Sequence, residues 1–445
     1  MRTIFISSFH SLISRNILAT SLIDRLLAAD KELTVVVLCP RRKCEVFEEE
    51  FSRERVVCEG VPLRLYRGDL FMRALALSAL RTRSITIKRA TELAGRGKLL
   101  SFVLANPPGR FFIRLLNRFL TPLGTFDALF AHYNPVLVFS TDVQNELDVR
   151  LMCDARRRGS RVISMVRSWD NLTAKGLVRF VPDVLLVHNE IIADEALRLH
   201  GISERRIRVI GVPHYDRYLA GSIAPGENHT ALMRSIGADP RLKLVLFAPT
   251  GDRYIKDNIV DCDVLRVLEE AVGGKAHILV RHPVADNVKC LHGYPPHARL
   301  SIERLAKDRY GSRKDIELTA DDDMHLQRLL VAADLVVAGP STICVDVALY
   351  DRPVILVGFD GNEHRPYYES IRRYYDYDHF QPVLESGGVV LAESPEAFTH
   401  AIETYLSDPA RDSAGRARLI KEQAWRLDGR ASERLAGALL ELLET

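Results

Sequence analysis

The sequence predicts an α/β protein made of two doubly wound parallel sheets. Short, continuous, β-branched apolar runs such as Leu33–Leu38, Leu335–Ala338 and Val354–Val357 read as strands buried on both faces. Segments of helical period separate them, and nearly every run ends in a polar or glycine-containing turn. With 445 residues the chain also exceeds the size at which one core keeps growing. The expected division is an N-terminal domain over 1–216, a C-terminal domain over 217–425, and a closing segment, 426–445, that packs back on the first domain.

In chain order, Thr3–Ile6 is the first strand and Ser7-Ser8-Phe9-His10 a loop leading to a helix over Leu12–Ala29. Leu33–Leu38 is the second strand. Pro135–Ser140 and Arg161–Val166 follow as strands around a helix ending near Arg157, then Val184–Val187 and Ile207–Ile210. Arg217–Thr230 carries glycine, proline and polar residues and reads as a linker. The alternation resumes at Leu244–Phe247, with a helix over Asp263–Ala271 and a strand at His277–Val280. Residues 286–315 read as loop with a short helix. Helices over Pro395–Leu406 and Ala414–Leu443 close the chain.

Composition excludes several classes. Hydrophobic residues make up 47% and charged residues 27%, ordinary for a soluble globular protein, with a net charge of +3. The seven cysteines are scattered and lack CxxC or zinc spacing, which points to reduced thiols in a cytoplasmic protein. No apolar run approaches the length of a membrane span, and the N-terminus lacks signal-peptide character. No metal or other cofactor is expected. Asp321-Asp322-Asp323 precedes a helix, an ordinary place for acids, and Asp376 and Asp378 have no spaced His or Cys.

Charge is uneven along the chain. Residues 70–126 hold ten Lys or Arg against one acid, Glu92. Within them Arg110, Arg114 and Arg118 recur every four residues beside Phe111, Phe112, Leu115, Leu116, Phe119 and Leu120. Such a basic amphipathic helix suits an anionic membrane surface, and peripheral attachment to the inner face of the membrane is one expectation. A core-packing helix with a solvated basic face is the competing one. Nucleic acid is not expected, because no binding module is recognisable.

Chemistry is expected where parallel strands end. Gly339-Pro340-Ser341-Thr342 opens a helix whose first amides and two hydroxyls suit a phosphate, with Asp346 one turn on to hold a ribose. The alternative is that Ser341 and Thr342 are plain helix caps. Arg167–Gly176 gathers polar residues around Trp169, including Asp170, Asn171 and Lys175. His10 ends the loop after the first strand, and Asp142 begins a helix, where it is equally a cap.

Four further pieces carry a resemblance. They are Gly211-Val212-Pro213-His214-Tyr215-Asp216, the strand ending Ala248-Pro249-Thr250, Arg281-His282-Pro283, and the tail Asp428–Arg434. Together with the Gly339–Pro353 series they resemble the GT-B glycosyltransferases, two Rossmann-like domains facing a cleft, and within them the CDP-glycerol glycerophosphotransferases of teichoic acid synthesis. That family has Trp-His-Gly-Thr where this chain has Ser168-Trp169-Asp170-Asn171, so Asp170 replaces its presumed catalytic histidine. The resemblance implies a metal-independent transferase moving a sugar or sugar-like group from a nucleotide-activated donor, cytidine slightly favoured, to a surface-polysaccharide or lipid-linked acceptor. CDP-glycerol-type glycerophosphate transfer and UDP-sugar 2-epimerisation are the alternatives. It further implies that Thr250, Arg281, His282, Ser341 and Thr342 stabilise the departing phosphate. Asp346 would hold the ribose and Asp170 take the acceptor proton, with Asp142 and His10 as rivals and Trp169, Asn171 and Lys175 as substrate contacts.

Overall fold

The computed structural model describes residues 2–92, 98–220, 225–284, 286–304 and 318–444. The chain forms two compact units, one of Met1–Ala220 with Ala424–Thr445 and one of Gly221–Gln423.

The first unit holds a seven-stranded sheet. Its strands are β1 (Arg2–Ser7), β2 (Leu33–Pro40), β3 (Val56–Val61), β4 (Leu137–Ser140), β5 (Arg161–Met165), β6 (Val184–Val187) and β7 (Ile207–Val209). All pair in parallel, in the order β3-β2-β1-β4-β5-β6-β7. Alternate side chains feed two cores. Ile4, Ile6, Val35 and Val37 pack with the helix Leu22–Ala29, whereas Phe5, Val36 and Val138 pack with Phe126, Leu151 and Met152. The second unit repeats the plan with β8 (Lys243–Ala248), β9 (Ala276–Arg281), β10 (Leu300–Glu303), β11 (Leu335–Ala338), β12 (Val354–Val357) and β13 (Val390–Ala392), ordered β10-β9-β8-β11-β12-β13 and all parallel.

Several expectations are corrected. The helix expected over Leu12–Ala29 is two pieces, a π-helical turn at Ser14–Leu18 and a helix at Leu22–Ala29. Thr20 makes the break, because its hydroxyl donates to the Ile17 carbonyl and accepts from the Leu22 amide. The expected linker 217–230 is largely helical where described, in Tyr215–Ala220 and Pro225–Ser235. Residues 286–315, expected as loop, contribute the edge strand β10, and 305–317 lie outside the described residues. The closing helix 414–443 is also two, Ser413–Gln423 and Ala431–Glu444. Trp425, at φ 64°, turns the chain between them, and the Ala431 and Ser432 amides donate to Asp216 at 3.0 and 2.7 Å. The Gly211–Asp216 motif therefore anchors the last helix, and Arg434 adds a bond to the Ile210 carbonyl.

The basic segment forms a helical layer in the first unit: Arg67–Ser78, Arg83–Glu92, Lys98–Leu104 and Pro107–Leu120. A small core of Met72, Ala76, Leu80, Ile85, Leu104 and Ile113 holds it together, and the buried Arg150–Asp69 pair ties it to the helix after β4. The polarity of Pro107–Leu120 is the reverse of a simple amphipathic helix. Arg114 turns inward and donates to the carbonyls of Val178 and His200, and burial lowers its pKa to about 10. Phe111, Phe112 and Phe119 face outward at 70, 51 and 72% exposure, beside Phe102 at 73%.

Candidate active site

Both sheets place their loops at the carboxyl ends of the strands, and in both the strand order reverses in the middle, the usual position of a ligand crevice. In the first unit the reversal lies between β1 and β4. The Thr141 amide donates to the Ser7 hydroxyl at 3.0 Å and the Thr141 hydroxyl to the Ser7 carbonyl at 2.9 Å, which locks the two loops together. Beneath them Asp148 accepts from the hydroxyls of Ser7 and Ser140. Burial, with the nearby Asp142 charge, pushes the Asp148 carboxyl up to about 8, so at neutral pH it is mostly protonated.

Loops after β1, β4 and β5 bring His10, Asp142 and Lys175 to one cavity of about 370 Å³. Asp142 is 4% exposed. One of its oxygens accepts from the Arg167 Nε at 2.7 Å, the other from the Gln144 amide and Asn171 Nδ2. Burial opposes its ionisation, but Arg167 and Lys175 outweigh burial and hold the carboxyl below its usual value. Lys175 Nζ reaches Asn171 Oδ1 at 2.5 Å and Asp170 at 3.3 Å. Burial lowers the pKa of that ammonium and the Asp170 charge works against the fall. Asp170, 30% exposed, keeps its carboxylate at the surface. His10 Nδ1 accepts from the Leu12 amide at 3.3 Å, which leaves the ring proton on Nε2. Burial and Arg167 lower the His10 pKa to about 4, so the ring is neutral near pH 7. Trp169 packs against the core below the loop.

Arg167 belongs to this set, although sequence reasoning quoted its loop without naming it a site residue. Arg73, Lys88 and Arg179 also line the cavity. Their only signal in the sequence was the local excess of basic residues, which does not say which of them turn inward.

In the second unit the reversal lies between β8 and β11. The turn after β11 meets the turn after β8 so closely that a Cβ on Gly339 would lie 2.1 Å from the Thr250 hydroxyl. Only glycine allows this approach. Asp261 accepts from the Thr250 and Gly251 amides at 2.9 and 3.0 Å and fixes the β8 turn. Ser341 and Thr342 are exposed at the start of Ile343–Ala348, with Asp346 half-buried on that helix. This helix has only six residues, so its dipole is weaker than expected. His282 is buried after β9, its amide donating to the Glu303 carbonyl at 3.0 Å. Arg281 is not available as expected. It is buried and paired with Glu303 at 2.6 Å, and Glu303 also holds His325 at 2.9 Å. Asp322 accepts from the Thr319 amide at 2.9 Å as a helix cap, and among the described residues no group of three or more His, Cys, Asp or Glu is placed to hold a metal ion.

Residues 154–441 match the model of the CDP-glycerol:poly(glycerophosphate) glycerophosphotransferases. The chain belongs to that family. This glycerophosphotransferase relative is therefore an enzyme, and it transfers nucleotide-activated glycosyl or glycerophosphate groups in cell-surface polymer synthesis. No curated protein matches it in sequence. Its fold is shared with the S. aureus MnaA–UDP co-structure, at 12% identity over 100% of this chain and 97% of the other, TM-score 0.58. It is shared also with the wall teichoic acid polymerase TagF, at 12% identity over 100% and 89%, TM-score 0.52. A glycosyltransferase from Rickettsia africae aligns at 11% identity over 100% and 99%, TM-score 0.52. These likenesses establish the GT-B pair of Rossmann-like halves.

Proposed function

We propose that the enzyme moves a sugar from a nucleotide-activated donor to a glycan or lipid-linked acceptor, with Asp170 as general base. The observation that carries the assignment is the contrast between two carboxylates. Asp142 is buried and every oxygen is engaged, so it positions Arg167 and Asn171. Asp170 is exposed and held by Lys175, which keeps it ionised and oriented to take the acceptor's hydroxyl proton as that oxygen attacks. His10, with its proton on Nε2, is a donor to ligand oxygen and no base. Thr250, Ser341, Thr342 and the nearby amides hold the donor's phosphates, His282 lies beside them, and Asp346 takes the ribose; preorganised donors of this kind act on the charge that develops as the phosphate departs.

A cytidine donor is favoured, and the family match supports glycerophosphate transfer from CDP-glycerol as the second reading. Epimerisation of a UDP-sugar would proceed without an acceptor. The exposed phenylalanines of the helical layer, flanked by the exposed Arg81 and Arg118, place the enzyme on an anionic membrane surface. Among the described residues no helix is long and apolar enough to cross a membrane.

The test is single-turnover transfer from a panel of CDP-, CMP- and UDP-activated donors, with wild type and Asp170→Asn. The variant is expected to bind nucleotide normally and to lose about 10²–10⁴ in kcat. A kcat within threefold of wild type removes Asp170 from the role, and turnover of a UDP-sugar without acceptor would favour the epimerase.

A further inference from the structure

The cavity of the first unit has more cationic wall than proton transfer to a sugar hydroxyl requires. Its two lining acids are each matched by an arginine: Asp142 by Arg167 at 2.7 Å, and Glu146 by Arg179 in a buried pair. Arg73, from the helix Arg67–Ser78, and Lys88, from Arg83–Glu92, remain in excess on the wall. Lys88 has Glu92 only at 3.9 Å, and that carboxylate is 57% exposed, so solvent screens it. Lys175, shared with Asp170, adds a third ammonium or guanidinium group to the same space. The cavity therefore presents net positive charge inside low-dielectric walls, where field lines focus on an anion.

Two further features narrow the ligand. About 370 Å³ lies at the small end of the roughly 300–1,000 Å³ of ligand pockets, enough for one charged group and the residue beside it. The mouth is apolar. Leu63 and Leu65 line it while exposing 40 and 47% of their surface to solvent. Neutral sugar recognition needs neither the cations nor the leucines. An amphiphilic phosphate ester uses both, with its phosphate between Arg73, Lys88 and Lys175 and its apolar part leaving over Leu63 and Leu65.

We propose that this cavity is the acceptor site and that the acceptor is a lipid-type phosphate ester, recognised by its phosphate. The proposal rests on the transferase reading above and adds the acceptor's chemical class to it. The layer that supplies Arg73 and Lys88 is also tied to the loop that carries Asp170. The Thr82 hydroxyl donates to the Thr173 carbonyl at 2.6 Å, and the Leu177 amide to the Ala76 carbonyl at 2.9 Å. An anion gripped by these helices is thus held in fixed register with the base.

The test is titration calorimetry of the full chain with three probes: octyl phosphate below its micelle-forming concentration, octyl β-glucoside, and inorganic phosphate. Octyl phosphate is expected to bind at least tenfold more tightly than either of the others. Arg73→Gln/Lys88→Gln should weaken it at least tenfold and flatten its salt dependence, while CMP and CDP binding and the thermal midpoint report that the variant is folded. Equal binding of octyl phosphate and octyl glucoside, or unchanged binding by the variant, overturns the proposal. Inorganic phosphate binding as tightly as octyl phosphate overturns the lipid-type ligand. Donor turnover is measured separately. A wild type that turns over a donor but ignores octyl phosphate refutes the acceptor class alone, whereas octyl phosphate binding without turnover of any donor refutes the transferase reading alone.

Discussion

Replacing Asp142 with asparagine tests the electrostatic frame of the candidate site. The substitution keeps the shape and leaves an oxygen to accept from the Gln144 amide or Asn171, but it strands the Arg167 guanidinium, whose Nε lies 2.7 Å from the lost charge. The two side chains are 11 and 6% exposed, so water compensates little. Breaking such a pair by removing one partner costs about 3–5 kcal/mol, and the isosteric amide puts this case near the lower figure. For a unit of this size 1 kcal/mol shifts the midpoint by about 2–4 °C, so a drop of roughly 6–12 °C is expected by scanning calorimetry at pH 7. Arg167 and Lys175 hold the folded carboxyl below its unfolded value, so the pair's contribution is present at neutral pH. It is lost only as pH falls below about 4, through the lowered folded value. Asp142→Asn/Arg167→Gln removes both charges and should recover at least half of the loss. A shift under 2 °C in the single variant, or a double variant as unstable as the sum of its parts, would refute the claim that this pair organises the site.

Two other outcomes are expected. Asp148 keeps its proton to about 8 when folded and loses it near the ordinary value of about 4 when unfolded, so the folded state binds more protons between those values and stability falls as pH rises through them. Asp148→Asn should therefore raise the midpoint at pH 8 relative to wild type and flatten the pH 5–8 dependence; an unchanged slope would show that Asp148 does not hold the proton. Phe111→Ser/Phe112→Ser/Phe119→Ser should reduce co-sedimentation with anionic vesicles by at least 100-fold. Each ring accounts for about 1.5–3 kcal/mol when fully buried, and partial insertion of three still exceeds the required change. Retained binding, with normal transfer, would place the lipid contact elsewhere.

Much of the architecture was legible because a parallel strand covered on both faces must be apolar along its whole length. Leu335–Ala338 and Val354–Val357 were read to the residue for that reason. The edge strands were not. β3 interrupts its run with Glu59 and Gly60, β10 has four residues and β13 three, and a strand with one free edge needs no continuous apolar pattern. Helix breaks at Thr20 and Trp425 were missed because each depends on a local hydrogen bond or a positive φ that periodicity does not encode. The candidate loops were legible because ligands collect at the carboxyl ends of parallel strands, which brought His10, Asp142 and Lys175 into view.

Sequence alone determined the two α/β halves, their strand ends and the residue types at those ends, since these follow from local pattern and from the chemistry of turns. Tertiary structure decided how those residues are used. Asp142 became a buried ion-pair partner and Asp170 the exposed carboxylate because Arg167 reaches one and Lys175 the other. Arg281 was neutralised by Glu303, twenty-two residues away in the chain. A helical wheel shows that Pro107–Leu120 has two faces but not which of them meets the protein. The open carbonyls of Val178 and His200 drew Arg114 inward and left the phenylalanines outside, because a buried carbonyl must find a donor whereas an exposed ring costs less.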